Sequence, residues 1–166
     1  MFEFNNFILS QIFAFFAIIS NFIVFQFKKR DYILISLGVT AFFLAIHYTL
    51  LFKFAAALLF LIAMFRSLLF LFTTHKKYLI IILTINTLVF ILLFDGWILL
   101  FQYFGLSFLT IGSFQKDNKK LRIYMMFGIL LILIYNILIF TPFGILKESI
   151  FLISGIIGYY RFRKIF

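Results

Sequence analysis

The chain has 166 residues, is 66% hydrophobic, and carries a net charge of +10 from fifteen Lys and Arg against five acids. Soluble domains are roughly 45–50% apolar, and a mean hydropathy of +1.20 leaves more apolar surface than a water-soluble fold of this size could cover. The composition therefore defines an integral membrane protein, and zero cysteines exclude disulfides, thiol catalysis and cysteine metal sites.

The apolar runs are apolar on every face, whereas strands of a transmembrane barrel alternate with period two, so the spans are expected to be helices. The first runs over 5–27 and ends at Lys28-Lys29-Arg30. Its start, Met1-Phe2-Glu3, lacks a basic n-region, and no small-x-small cleavage site follows, so it should remain as a span. The second, 32–52, reaches the lone Lys53, and the third, 54–74, returns to His75-Lys76-Lys77. The stretch 32–74 is too long for one crossing and basic at both ends, which asks for two crossings. The fourth, 78–94, is uncharged and, at ~1.5 Å per residue, just about covers a ~30 Å hydrocarbon core before Asp95-Gly96. The fifth covers 97–114 and leads into a loop that ends at Lys119-Lys120-Leu121-Arg122. The sixth, 121–140, stops at Thr141-Pro142, where the only proline breaks the helix. The seventh, 143–160, finishes at Arg161-Phe162-Arg163-Lys164.

Seven crossings gather the basic clusters at 28–30, 76–77, 116–122 and 161–164 on one side, with Lys53 alone on the other and Arg66 and Lys147 inside spans. Short loops rich in Lys and Arg stay in the cytoplasm. The amino terminus is thus expected outside and the carboxyl terminus inside. The positive charge then faces anionic lipid headgroups rather than nucleic acid.

The first and last thirds match in motif order. Gln11-Ile-Phe-Ala14 pairs with Gln102-Tyr-Phe-Gly105, Lys28-Lys29 before Gly38 with Lys119-Lys120 before Gly128, and Ile46-His47-Tyr48 with Ile134-Tyr135-Asn136. Arg66 and Arg161 stand in the two third helices. The expected architecture is an all-α membrane protein of seven transmembrane helices in a 3+1+3 parallel repeat of triple-helix bundles. The first repeat is 1–77, the linker helix 78–96 and the second repeat 97–166. In parallel-repeat transporters the site lies at the repeat interface near the midplane.

Lys28-Lys29-Arg30, Ile46-His47, Met64-Phe65-Arg66-Ser67 and the run from Glu148 through Ser154-Gly155 to Arg161-Phe162-Arg163 resemble the bacterial inner-membrane YgjV family. The resemblance covers the chain from about Phe27 onward and implies localisation in the inner membrane. That family is itself similar to the PQ-loop and SWEET group of small three-plus-one-plus-three carriers and cargo receptors. The chain departs from that group in having no Pro-Gln pair, and Ala63 stands where the family has a polar Asn.

Ionisable groups inside a span are costly, ~2.5–3.5 kcal/mol for a central Arg, Lys or Asp, so they usually face the bundle interior. His47 is a candidate for proton coupling or ligand binding, or is hydrogen-bonded to a neighbouring helix. Arg66 binds an anionic solute, pairs with Glu148 or snorkels to headgroups; Lys147, adjacent to Glu148, is expected at the headgroups. Tyr135, Asn136, Gln11 and Gln102 suit hydrogen bonds either to a small polar solute or between helices. Gly38, Ala41 and Ala45, and Ser154, Gly155 and Gly158, mark close helix packing. No nucleophile elbow, metal-ligand spacing or phosphate loop is present, so no catalytic residue, metal or cofactor is expected. The leading expectation is a small-solute carrier, with a homo-oligomer among the partners it allows; the competing one is a non-transporting assembly partner or receptor whose internal polar groups only hold helices together.

Overall fold

The computed structural model describes residues 2–52, 54–92, 94, 96–140 and 142–162. Among them it is all-helical: α1 (Phe2–Val24), α2 (Arg30–Leu50), α3 (Phe54–Phe72), α4 (Lys76–Leu92), α5 (Leu99–Phe114), α6 (Asn118–Leu138) and α7 (Pro142–Phe162). Each apolar run forms one helix, with ends within three residues of the predicted bounds. Lys53, Asp95, Thr141, Arg163 and Lys164 lie outside the described residues. Asn6–Val24, Arg30–Leu50 and Asn118–Leu138 are long and apolar enough to cross a bilayer, and Ala57–Phe72 and Leu99–Phe114 are shorter apolar helices. Pro142 opens α7, the position where its missing N–H is no loss. Asp117 caps α6, its carboxylate accepting from the Lys119 N–H at 2.9 Å.

Short connections make successive helices antiparallel. Packing runs α1–α2–α3–α5–α6–α7 and back to α1, a ring of six with α4 laid against α5 outside it. In this order α3 and α7 stand on opposite sides of the ring.

Two arginines lace one end of the ring. Arg30, the first residue of α2, donates from Nε to the Gln115 carbonyl at 2.7 Å and from Nη2 to the Ser113 carbonyl at 3.1 Å and the Phe70 carbonyl. It thus ties the last carbonyls of α3 and α5. Arg122, one turn into α6, donates from Nη1 to the Phe25 carbonyl at 2.7 Å and from Nη2 to the Phe27 carbonyl, just past the end of α1. Orphan carbonyls carry the negative end of a helix dipole, and a guanidinium answers both needs. Arg122 reaches α1 past Gly158 of α7, where a Cβ would overlap the Phe25 carbonyl and the Arg122 Nη1. Each arginine therefore crosses from one half of the chain to the other.

The densest core lies toward the same end. Phe25 stacks on Phe151 at 5.0 Å, Phe70 meets Phe114 edge-on at 5.8 Å, and Leu34, Leu121, Met125 and Ile129 fill the space between. Glycines close the second half. A Cβ on Gly105 would lie 2.9 Å from the Gly128 carbonyl, and one on Gly128 would lie 2.7 Å from the Gly105 carbonyl, so α5 and α6 touch backbone to backbone. Gly38 is different: an added Cβ would meet nothing nearer than 3.8 Å.

At the other end α2 and α6 terminate alike. Phe52 (φ 58°) and Phe140 (φ 52°) both occupy the left-handed region that favours glycine. In each helix the preceding N–H returns four residues, Leu51 to His47 and Ile139 to Tyr135. Counting back from these matched ends brings His47 level with Tyr135. Gly38 and Gly128 fall out of register by two residues and stand on different helix faces.

Candidate functional site

Six of the seven residues expected to bind a solute sit on the half of the bundle opposite the arginines. Gln11, Gln102 and Glu148 lie on the starting halves of α1, α5 and α7, and His47, Tyr135 and Asn136 on the closing turns of α2 and α6. Alternation of direction brings these stretches to one end.

Side-chain contacts link three of the six. His47 Nδ1 lies 2.8 Å from the Ser10 carbonyl; a carbonyl only accepts, so Nδ1 donates. Gln11 Nε2 donates to Ser10 Oγ at 3.2 Å. The His47 ring meets Tyr48 edge-on at 4.9 Å, and Tyr48 stacks on Phe60 of α3 at 5.3 Å with the rings 6° from parallel. Over the Phe60 ring, 5.9 Å from its centre, lies Lys147 Nζ of α7. Lys147 Nζ is also 2.8 Å from Glu148 Oε1, whose residue is 4% exposed. Because α3 and α7 oppose one another, a Lys147–Phe60 contact passes through the inside of the ring. The expectation that Lys147 runs out to headgroups is corrected here: its partner Glu148 is buried, and the flexible stem lets the ammonium turn inward. Tyr135 and Asn136 are half-buried on α6, each engaged by neighbours, and Gln102 is half-buried on α5.

Arg66 is elsewhere, toward the arginine end, and the structure does not bring it to Glu148. It is 7% exposed, and Nη1 donates to Thr110 Oγ1 of α5 at 2.9 Å. Thr110 Oγ1 also accepts from Asn86 Nδ2 of α4 at 3.2 Å and donates to the Leu106 carbonyl at 2.8 Å. The guanidinium thus joins α3, α4 and α5, and its Nε has no hydrogen-bond partner among the described residues. A cleft of about 440 Å³ between α3 and α4 has Arg66 in its wall, with Phe65, Leu69, Phe72, Ile82 and Ile85 around it. A second cleft, about 350 Å³ between Trp97, Phe101, Phe104 and Leu131, is apolar throughout.

Lys147, Tyr48, Phe60, Thr110 and Asn86 are additions that sequence reasoning missed as site members. Asn86 and Thr110 carried a usable signal, a polar side chain within an apolar run. Phe60 carried none among so many phenylalanines. Of the small residues expected at close contacts, Gly155 and Gly158 of α7 pack tightly on Phe25, whereas Gly38, Ala41 and Ala45 are buried on α2 but Gly38 leaves room for a Cβ.

Apolar helices of spanning length, arranged in a ring with ionisable groups turned inward, define a polytopic membrane protein. The family model for Imp-YgjV, described as bacterial inner membrane protein, matches residues 8–165. The chain belongs to this family, and its location is the bacterial inner membrane. No curated protein and no solved structure matches the chain.

Proposed function

We propose that this inner-membrane protein is a small-solute carrier of SWEET-like architecture, built as a 3+1+3 parallel repeat with α4 as linker and the site inside the ring. The observation that carries the proposal is the Lys147–Glu148 pair, which faces Phe60 and Tyr48 of the other half across the ring rather than lipid headgroups. Charges held inside a bundle are costly and usually mark a solute or ion path. An ammonium, a carboxylate, two stacked rings and the His47 imidazole offer a small polar solute hydrogen bonds and an apolar face. Gln11, Gln102, Tyr135 and Asn136 stand on the same half of the bundle, whereas Arg66 is turned to Thr110 and the α3–α4 cleft and is no part of this site.

The repeat is supported by the packing order. Exchanging α1 with α5, α2 with α6 and α3 with α7 turns the α3–α5 joint into the α7–α1 joint, and Arg30 clasping α5 into Arg122 clasping α1. In this architecture the arginine end is cytoplasmic, the amino terminus is outside, anionic headgroups flank the basic clusters, and the protein does no covalent chemistry. Because the chain has no cysteine, Lys28→Cys and Lys119→Cys can each be labelled from one side at a time. Both should react from the cytoplasm; reaction from opposite sides would remove the parallel repeat. Transport itself is tested in proteoliposomes on a supported membrane, by charge movement after jumps in small sugars, amino acids and organic acids. Wild-type protein should respond to one class, with the response lost in Glu148→Gln and His47→Ala. Silence to every class, or responses unchanged in both variants, would count against the carrier.

The second reading, a non-transporting assembly partner or receptor, is favoured by the linings of the two clefts, which apart from Arg66 are hydrophobic. In that case Lys147–Glu148 only fastens α7 to the rest.

A further inference from the structure

We propose that the α3–α4 cleft binds a single-chain fatty acid from the bilayer, its carboxylate on Arg66 and its chain along Phe65, Phe72 and Ile85. The site lies on the outer side of the ring and does not rest on the carrier reading. The first ground is charge. A guanidinium presents five donors in a planar fork matched to a carboxylate. Here one nitrogen is engaged by a neutral hydroxyl, Nε is without a partner, and no carboxylate among the described residues lies within ion-pair distance. A buried cation in that state lacks a counter-ion, which a ligand can supply.

Access is the second ground. α4 packs on α5 and not closely on α3, so the cleft opens between α3 and α4 with Phe65 (62% exposed) and Phe72 (84% exposed) at its rim. Whatever enters comes from lipid. The third ground is depth. Arg66 precedes the last residue of α3 by six positions, about 9 Å along the axis at ~1.5 Å per residue. A phospholipid phosphate is permanently charged, brings two chains, and would have to be drawn that far below the headgroups. A carboxylic acid descends uncharged, releases its proton toward the membrane surface, and ionises against Arg66. A volume of about 440 Å³ is in the range of small-ligand pockets and suits one chain segment better than two.

The test uses the full chain in phosphatidylcholine nanodiscs, titrated with palmitate labelled with ¹³C at the carboxyl carbon. Bound palmitate should give its own carboxyl resonance, still ionised at a pH where palmitate in empty nanodiscs is largely protonated. Arg66→Gln should weaken binding by roughly tenfold or more, the weight of a charge-assisted hydrogen bond. Arg66→Lys, which keeps charge and loses the fork, should fall between. Ile85→Trp fills the cleft while leaving Arg66 in place, so it decides the matter should Arg66→Gln not fold; it too should lose the bound resonance. Unchanged binding in Ile85→Trp, or phosphatidic acid displacing palmitate at equal concentration, would overturn the proposal. Neither result bears on Glu148-dependent transport, so the two proposals fail separately.

Discussion

Replacing Arg122 by Met is the sharpest test of what closes the basic end of the ring. Arg122 is fully buried and heads the fully buried side chains in volume, so Met keeps most of the packing and removes the donors. Two carbonyls near the end of α1, those of Phe25 and Phe27, then lose a charged partner. Hydrogen bonds to charged groups contribute ~1.5–3 kcal/mol each, which gives about 3–6 kcal/mol for the pair. Interhelical bonds in membranes average only ~0.6 kcal/mol, because separated helices find other partners in lipid. That sets a lower bound near 1 kcal/mol. Phe25 directly follows Val24, the last residue of α1, so the helix dipole strengthens that one bond, while relief from burying a charge pulls the loss down. A loss of at least about 1 kcal/mol is expected. Unfolding in mixed dodecylmaltoside and SDS micelles, followed by the fluorescence of the single tryptophan, Trp97, measures it. Arg161→Met is the comparison, since Arg161 is exposed and should stay within about 0.5 kcal/mol of wild type. If both variants unfold at the same SDS fraction, the carbonyls are not held by Arg122 and the clasp between halves does not exist.

The glycines separate cleanly. Gly158→Ala puts a methyl against the Phe25 backbone carbonyl and should cost at least ~1–3 kcal/mol in the same titration. Gly38→Ala has room and gains helix propensity, so it should be neutral or stabilise by up to ~1 kcal/mol; a large loss there would mean α2 and α3 sit closer than described. Lys147→Met strands the buried Glu148 carboxylate and should cost about 3–5 kcal/mol, the expectation for half of a buried pair. Adding Glu148→Gln should recover most of that loss, and a double variant as unstable as the single would show that the pair is not coupled.

The solvent of this protein was legible before any fold was known. An apolar excess of this size can be satisfied only in lipid, and lipid admits only helices or closed barrels, so seven runs without period-two alternation became seven helices. Charge bookkeeping also carried weight, because each basic cluster interrupts an apolar run and marks its end. Periodicity was less use: with so many phenylalanines, leucines and isoleucines, nearly every helix face is apolar, and nothing in the pattern separates a face that meets another helix from one that meets acyl chains. Tertiary structure made that choice. It turned Lys147 inward, sent Arg66 to Thr110 instead of Glu148, and put Arg30 and Arg122 on carbonyls of the opposite half of the chain. Those partners are backbone oxygens and small hydroxyls, which every residue or many residues possess. Where a long cation finds its acceptor depends on which helix ends the ring brings within its reach, and that is decided by packing in three dimensions.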